Sequence, residues 1–256
     1  MNGMSISECE PFKRVGGVKC CVSMRQKSAP LEFSMALHTG QERKSVLSNR
    51  RVLEEFFPEK ASFVSARQVH GDSVLPIDEK VDIGWESISD APVADALISN
   101  VPYLVLTVLT ADCLPILLYD PVVGAIGAVH AGWRGSDMDI VGKSVEMMKR
   151  EYGASPKDMM ALIGPGIGGC CYEVGEDVAA RFEGYEGALR RVGESLRLDL
   201  KRVNLLNLVR AGVGSSKIHI SPHCSSCERE LFFSYRAQKG CDGRFMSCIM
   251  LNPDDS

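Results

Sequence analysis

Residues 103–119 read YLVLTVLTADCLPILLY, the most apolar stretch of the chain. A membrane-crossing helix needs about 20 nearly unbroken apolar residues, and Asp112 and Pro115 interrupt this run. It predicts two buried strands instead, 103–110 and 114–119, the second ending at the Asp120-Pro121 turn. Upstream, residues 94–100 predict a strand adjoining 103–110. Downstream, residues 124–130 predict a small-residue strand, after which Gly132-Trp133-Arg134-Gly135 turns the chain. Asp137 or Asp139 can cap a helix running to Tyr152, with Ile140, Val141, Val145 and Met148 on one face.

The same reading extends to both ends. Phe33, Met35 and Leu37 alternate with polar neighbours, so a strand is expected within 23–40. Val46, Arg50, Leu53 and Phe57 recur at helical spacing over 45–57, closed by Pro58. Residues 61–69 predict a strand ending in Gln68-Val69-His70-Gly71. The acidic, serine-containing stretch 76–92 is expected to be an exposed loop. Toward the C-terminus, strands are expected at 159–163, 217–221, 231–236 and 245–251, and helices at 174–182 and 203–213. Helices and strands interleave, but strands also run consecutively. The pattern predicts an α/β fold, a layered sandwich with mixed β-sheets covered by helices. No Pro/Gly/Ser linker divides the chain, so a single domain over 1–256 is expected, with about residues 1–25 as a candidate loose N-terminal segment.

The chain has 256 residues, enough to bury a sizeable core without covalent staples. Its net charge of −4 argues against a broad electrostatic grip on nucleic acid, which needs clustered lysine and arginine. Met1 to Glu10 lacks the basic and apolar blocks of a signal peptide, so a cytoplasmic protein with no membrane partner is expected. In that compartment the ten cysteines are expected as reduced thiols.

Three residues carry candidate chemistry. His70 and His130 end strands, and Cys113 lies between two very apolar ones. Two imidazoles and a thiolate suit Zn²⁺ and leave a fourth position for water or substrate. No short motif enforces this, and two satisfied core histidines with a buried thiol would look the same in sequence. Asp112 is a candidate acceptor for a ligand imidazole, or a general acid/base. Gln68 shares a strand face with His70 and can bond substrate or orient a ligand. Arg134, next to the His130 strand, is a candidate phosphate ligand, with a structural ion pair as the plain alternative. The Gly164–Gly169 run lacks a P-loop's Gly-Lys-Ser/Thr and reads as a tight structural loop. Cys170 and Cys171 read as simple thiols. Cys224-Ser225-Ser226-Cys227 is one close pair. Cys241 and Cys248 do not make the second pair a structural zinc site wants.

The strings RQVHG (67–71), LTADCLPILLYDP (109–121), GAVHAGWRG (127–135), IGPGIGGCCYEVG (163–175), LDL (198–200) and FFSYR (232–236) occur in this order. Together they closely resemble the laccase-domain family, also called YfiH-like or purine nucleoside phosphorylase family, from about residue 30 onward. The resemblance implies a relative of the cytotoxic necrotizing factor fold and a zinc site at His70, Cys113 and His130. It implies phosphorolysis of adenosine, guanosine, inosine and methylthioadenosine, with adenosine deamination also associated. Arg50 and Arg236 lie in stretches that match the family and are favoured for phosphate. Older labels are polyphenol oxidase and peptidoglycan editing factor. A multicopper oxidase needs many imidazoles, usually in His-x-His pairs. This chain has five histidines and no such pair, so copper is the weaker expectation. The fold's toxin relative uses Cys and His, which keeps a metal-free cysteine hydrolase, with Cys113 as nucleophile and His70 or His130 as base, as the alternative.

Overall fold

In the computed structural model, which describes residues 6–255, the 103–119 stretch becomes two strands of different sheets. Leu104–Thr110 belongs to a five-stranded sheet. Its order is Ile6–Glu8, Val18–Ser23, Phe245–Leu251, Leu104–Thr110 and Ser62–Ser65. All neighbours there are antiparallel except the last pair. Leu114–Asp120 belongs to a six-stranded sheet ordered Ile218–Ile220, Met160–Ile163, Leu114–Asp120, Ala125–Ala131, Ala96–Ser99 and Val74–Pro76. Its outermost pairs are parallel and its centre antiparallel. Both strands are buried along their whole length, which is why the sequence reads as an unbroken apolar run rather than an alternating one.

Alternation survives in what each residue faces. Leu104, Leu106 and Val108 pack with Leu117, Ile126, Ala128 and Leu162, filling the layer between the sheets. Val105 and Leu109 point the other way, onto Met246, Met250, Leu53 and Phe57 beneath the helix Arg43–Glu54. Ile116, Leu118 and Val129 face Val141, Val145, Met148, Val203 and Leu208, from the helices Ile140–Tyr152 and Leu200–Arg210. The result is a four-layer helix–sheet–sheet–helix sandwich. Asp139 caps the Ile140–Tyr152 helix by accepting from the Gly142 N–H.

Several expectations change. The strands expected at 94–100 and 103–110 do not adjoin, because the chain passes from one sheet to the other at residues 100–103. Residues 24–40 contain the 3-10 turn Pro30–Phe33 with left-handed residues rather than a strand. Residues 231–236 form turns, although Phe232 and Phe233 are buried. Helix 174–182 shortens to Glu176–Ala179 and a 3-10 turn, Ala180–Phe182. The hairpin of Leu189–Val192 with Ser195–Leu198 escaped the sequence reading. The 76–92 loop is irregular, but Trp85 is buried within it, stacked on Phe63. The N-terminal segment supplies, within 6–25, the first two strands of the five-stranded sheet and the short helix Glu10–Lys13. Residues 1–5 of that segment lie outside the described residues. No helix among the described residues is long and apolar enough to cross a membrane.

Candidate active site

His70, Cys113 and His130 meet at one end of the sandwich. His70 follows the Ser62–Ser65 strand of one sheet, and His130 lies in the Ala125–Ala131 strand of the other. Cys113 occupies the crossing between the sheets, between Leu104–Thr110 and Leu114–Asp120. The two imidazole nitrogens and the thiol sulfur lie within 4.8 Å of one another. The imidazole rings meet edge to face, with centroids 4.8 Å apart. Backbone conformation makes this convergence possible: His70 and Asp112 both adopt positive φ, 61° and 92°. Gly132 is also required, because a Cβ there would stand 2.9 Å from Cys113 Sγ and 3.4 Å from His70 Cδ2.

A buried carboxylate that the sequence reading missed orders the site. Asp95, 2% exposed, places Oδ1 2.8 Å from His130 Nδ1. The same carboxylate accepts the N–H groups of Val69, His70 and Gly71. The bond at Nδ1 turns the other imidazole nitrogen, Nε2, toward Cys113, as carboxylate-oriented metal-ligating histidines are turned. Asp112, a candidate imidazole acceptor or general acid/base, has its hydrogen bonds elsewhere than on an imidazole. Its carboxylate accepts Ser225 Oγ, Ser234 Oγ and the Arg236 N–H at 2.6–2.7 Å, tying three distant loops together.

Electrostatics follow this geometry. Burial pushes the Cys113 thiol up, but His130 and His70 outweigh it and hold the thiol down at about 6. Burial pushes His130 down, but Cys113 and Asp95 outweigh it and raise it to about 9. A sulfur that prefers to be thiolate beside two imidazoles is a donor set suited to a borderline cation such as Zn²⁺, so these residues fit the implied metal.

The surrounding cavity of about 320 Å³ opens on Cys113 and both histidines, within the range of small-molecule sites. Of the sequence candidates, Gln68, Asp112 and Arg236 also line it. Gln68 is anchored by its amide. It donates to Leu109 O and accepts from Leu109 N–H, both at 2.8 Å, and so pins the His70 segment to the neighbouring strand. Arg236 lies over the Tyr172 ring, 5.3 Å from its centroid, and donates to Glu173 O. Arg50 lies elsewhere. It is 2% exposed, and its guanidinium donates to the carbonyls of Met35, Gly84 and Trp85, so it is a core residue rather than a phosphate arm. Arg134 stacks on Trp133 outside the cavity lining. The cavity adds His38, Tyr172, Tyr235 and Arg244, which the sequence reading had not assigned to it. Tyr172 and Tyr235 sat inside the quoted IGPGIGGCCYEVG and FFSYR strings, so their signal was present. Asp95 and Arg244 had none.

Known proteins resemble this chain along most of its length. A purine nucleoside phosphorylase named YlmD from Geobacillus stearothermophilus is 37% identical over 228 residues, covering 85% of this chain and 82% of that protein. A protein named adenosine deaminase RL5, from an unknown prokaryotic organism, is 38% identical over 183 residues, covering 68% and 69%. The crystal structure of the Bacillus licheniformis hypothetical protein YfiH superposes with a TM-score of 0.90 at 32% identity, covering 98% of each chain. The profile of the family described as multi-copper polyphenol oxidoreductase laccase matches residues 12–252, beginning earlier than the motifs alone suggested. A match of that extent, on a fold shared almost end to end, places this chain in the multi-copper polyphenol oxidoreductase laccase family.

Proposed function

We propose that this chain is a zinc-dependent purine nucleoside phosphorylase acting on adenosine, inosine, guanosine and methylthioadenosine, in the cytoplasm, with adenosine deamination as a side activity. The observation that carries this reading is the sharing of one cavity by a two-imidazole, one-thiolate donor set, two arginines and two tyrosines. His70, Cys113 and His130 would hold the zinc, which supplies a Lewis-acid centre when bound. Phosphorolysis forms a bond from a phosphate oxygen to the sugar C1′ and breaks the bond from C1′ to the purine nitrogen. Arg236 and Arg244, which line the cavity, would hold and orient the phosphate. Tyr172 and Tyr235, each with an arginine over one ring face, would give the purine aromatic contact.

The test uses zinc-loaded protein incubated with each nucleoside, with and without inorganic phosphate, and the products separated by chromatography. Free base that appears only with phosphate is expected. Absence of base release from adenosine and inosine overturns the reading. Inosine accumulating from adenosine without phosphate would report deamination. Arg236→Ala is expected to raise KM for phosphate by about 10-fold or more, the loss of one charged hydrogen-bonding arm. An unchanged KM would remove Arg236 from the phosphate site.

One observation favours a second reading. Cys113, held at about 6 between two imidazoles, has the environment of a nucleophilic thiolate. Metal analysis beside alkylation separates the two. Metal-free protein that hydrolyses a substrate and is inactivated by iodoacetamide at Cys113 would favour the hydrolase.

A further inference from the structure

The sequence holds one close cysteine pair, Cys224-Ser225-Ser226-Cys227, and the fold brings it a second that sequence distance had hidden. Cys170 and Cys171, at the end of the glycine loop, lie against it, and the four sulfurs are all within 4.8 Å of one another. The Cys171–Cys227 and Cys170–Cys227 separations are 3.3 and 3.7 Å. A disulfide bond needs about 2.05 Å, so these are unbonded thiols. Four sulfurs around a tetrahedral zinc, at about 2.3 Å from the ion, lie about 3.8 Å apart. The cluster has close to that size already.

Hydrogen-bond donors and cations surround the cluster. The Gly168 N–H donates to Cys224 Sγ at 3.2 Å. Lys201 lies beside the cluster, donating to Ser221 O and His223 O. The Arg197 guanidinium donates to Cys170 O. Glycine 168 is suited to the crowding, since a Cβ there would meet Cys170 Sγ at 3.2 Å and Cys224 Cβ at 3.4 Å.

We propose that Cys170, Cys171, Cys224 and Cys227 bind a second zinc ion in a closed four-thiolate site. Four protein ligands leave no position for water or substrate, so this site is structural. What it ties together gives it a purpose. Cys171 precedes Tyr172, a wall of the active-site cavity. Cys224 precedes Ser225, which donates to Asp112 Oδ1 at 2.7 Å, next to Cys113. An ion here fastens the glycine loop and the 224–227 turn, already joined by a Gly166–Cys224 bridge, and so holds the cavity wall against the Cys113 turn. The proposal is independent of which reaction the cavity performs.

The test is metal content by mass spectrometry on protein grown with zinc and purified under reductant. About two zinc ions per chain are expected for the wild type. His130→Ala is expected to keep one, and its cobalt-substituted form to show the intense thiolate charge-transfer bands of a tetrahedral sulfur site. Cys170→Ser/Cys227→Ser, which alters two exposed side chains, is expected to lose one zinc while keeping the other. If either variant fails to fold by circular dichroism, X-ray absorption on the wild type decides, with a sulfur-dominated average zinc environment expected. The proposal is overturned by wild-type protein whose zinc is lost entirely in His130→Ala, by an unchanged zinc content in the double cysteine variant, by a nitrogen-dominated zinc environment, by iron in place of zinc, or by a native disulfide among the four cysteines.

Discussion

At the scale of single residues, Asp95 has the largest influence for its size. One carboxylate fixes the His130 ring and three consecutive backbone N–H groups that carry His70. Asp95→Asn turns an acceptor into a partial donor facing those N–H groups. It is expected to cost about 1–3 kcal/mol of stability and to weaken metal affinity about 10–100-fold. Denaturant titration and competition with a chelator measure the two effects. Burial pushes the Asp95 carboxyl up, but His130 and the backbone N–H groups outweigh it and leave it below the ordinary 3.8. Its folded-state value is therefore the lower one. The stability it contributes is present above about pH 4 and is lost as pH falls through the folded value. Wild type should lose more stability than Asp95→Asn on acidification below pH 4, and parallel losses would contradict this assignment. Cys113 gives a second pH signature. In chelator-stripped protein its iodoacetamide alkylation, followed by peptide mapping, should stand near its plateau at pH 7 and fall as pH drops below about 6, because the thiolate is the reactive form. A rate still climbing from pH 7 to 9 would show an ordinary thiol.

At the scale of elements, the helix Ile140–Tyr152 roofs the six-stranded sheet on the side away from the other sheet. Its start depends on Asp139, which adopts φ 57° and caps Gly142. Asp139→Ala removes the cap and leaves a side chain poorly suited to positive φ, so a loss of about 1–2 kcal/mol is expected by denaturant unfolding. A change below a few tenths would show that packing of the apolar face alone defines this end. Elements also explain which expectations held. Strands 114–119, 124–130 and 245–251 were legible because each is a short run of apolar or small residues closed by a turn. Residues 231–236 misled because Phe232 and Phe233 are buried for their side chains, while the backbone around them turns and offers Ser234 and Arg236 to Asp112.

At the scale of the whole molecule, stability rests on the layer between the sheets. Leu106, fully buried there, touches the layer shared by both sheets. Leu106→Ala is expected to cost about 2–5 kcal/mol. Because the two sheets share this layer, loss should appear as one cooperative transition by fluorescence and circular dichroism together. Two separated transitions would mean that the sheets unfold independently.

The chain's own order of residues was enough to determine where most strands and helices form and that the fold is a mixed α/β sandwich, while His70, Cys113 and His130 were nominated by residue type and singled out by the resemblance of their motifs to a known family. Periodicity and turn chemistry are local, and they act within a few residues. Which strands pair, and which side chains share a point in space, was decided only by tertiary structure. A strand buried on both faces carries no mark of its neighbour, so residues 94–100 and 103–110 read as partners yet lie in opposite sheets. Arg50 read as a candidate phosphate ligand and became a core guanidinium satisfied by three carbonyls, because the chain folded Met35, Gly84 and Trp85 around it. Asp95, Arg244 and the meeting of Cys170 and Cys171 with Cys224 and Cys227 stayed invisible for the same reason: their partners are brought by strand pairing and loop packing, as where Met160–Ile163 pairs with Ile218–Ile220, and sequence distance holds no record of it.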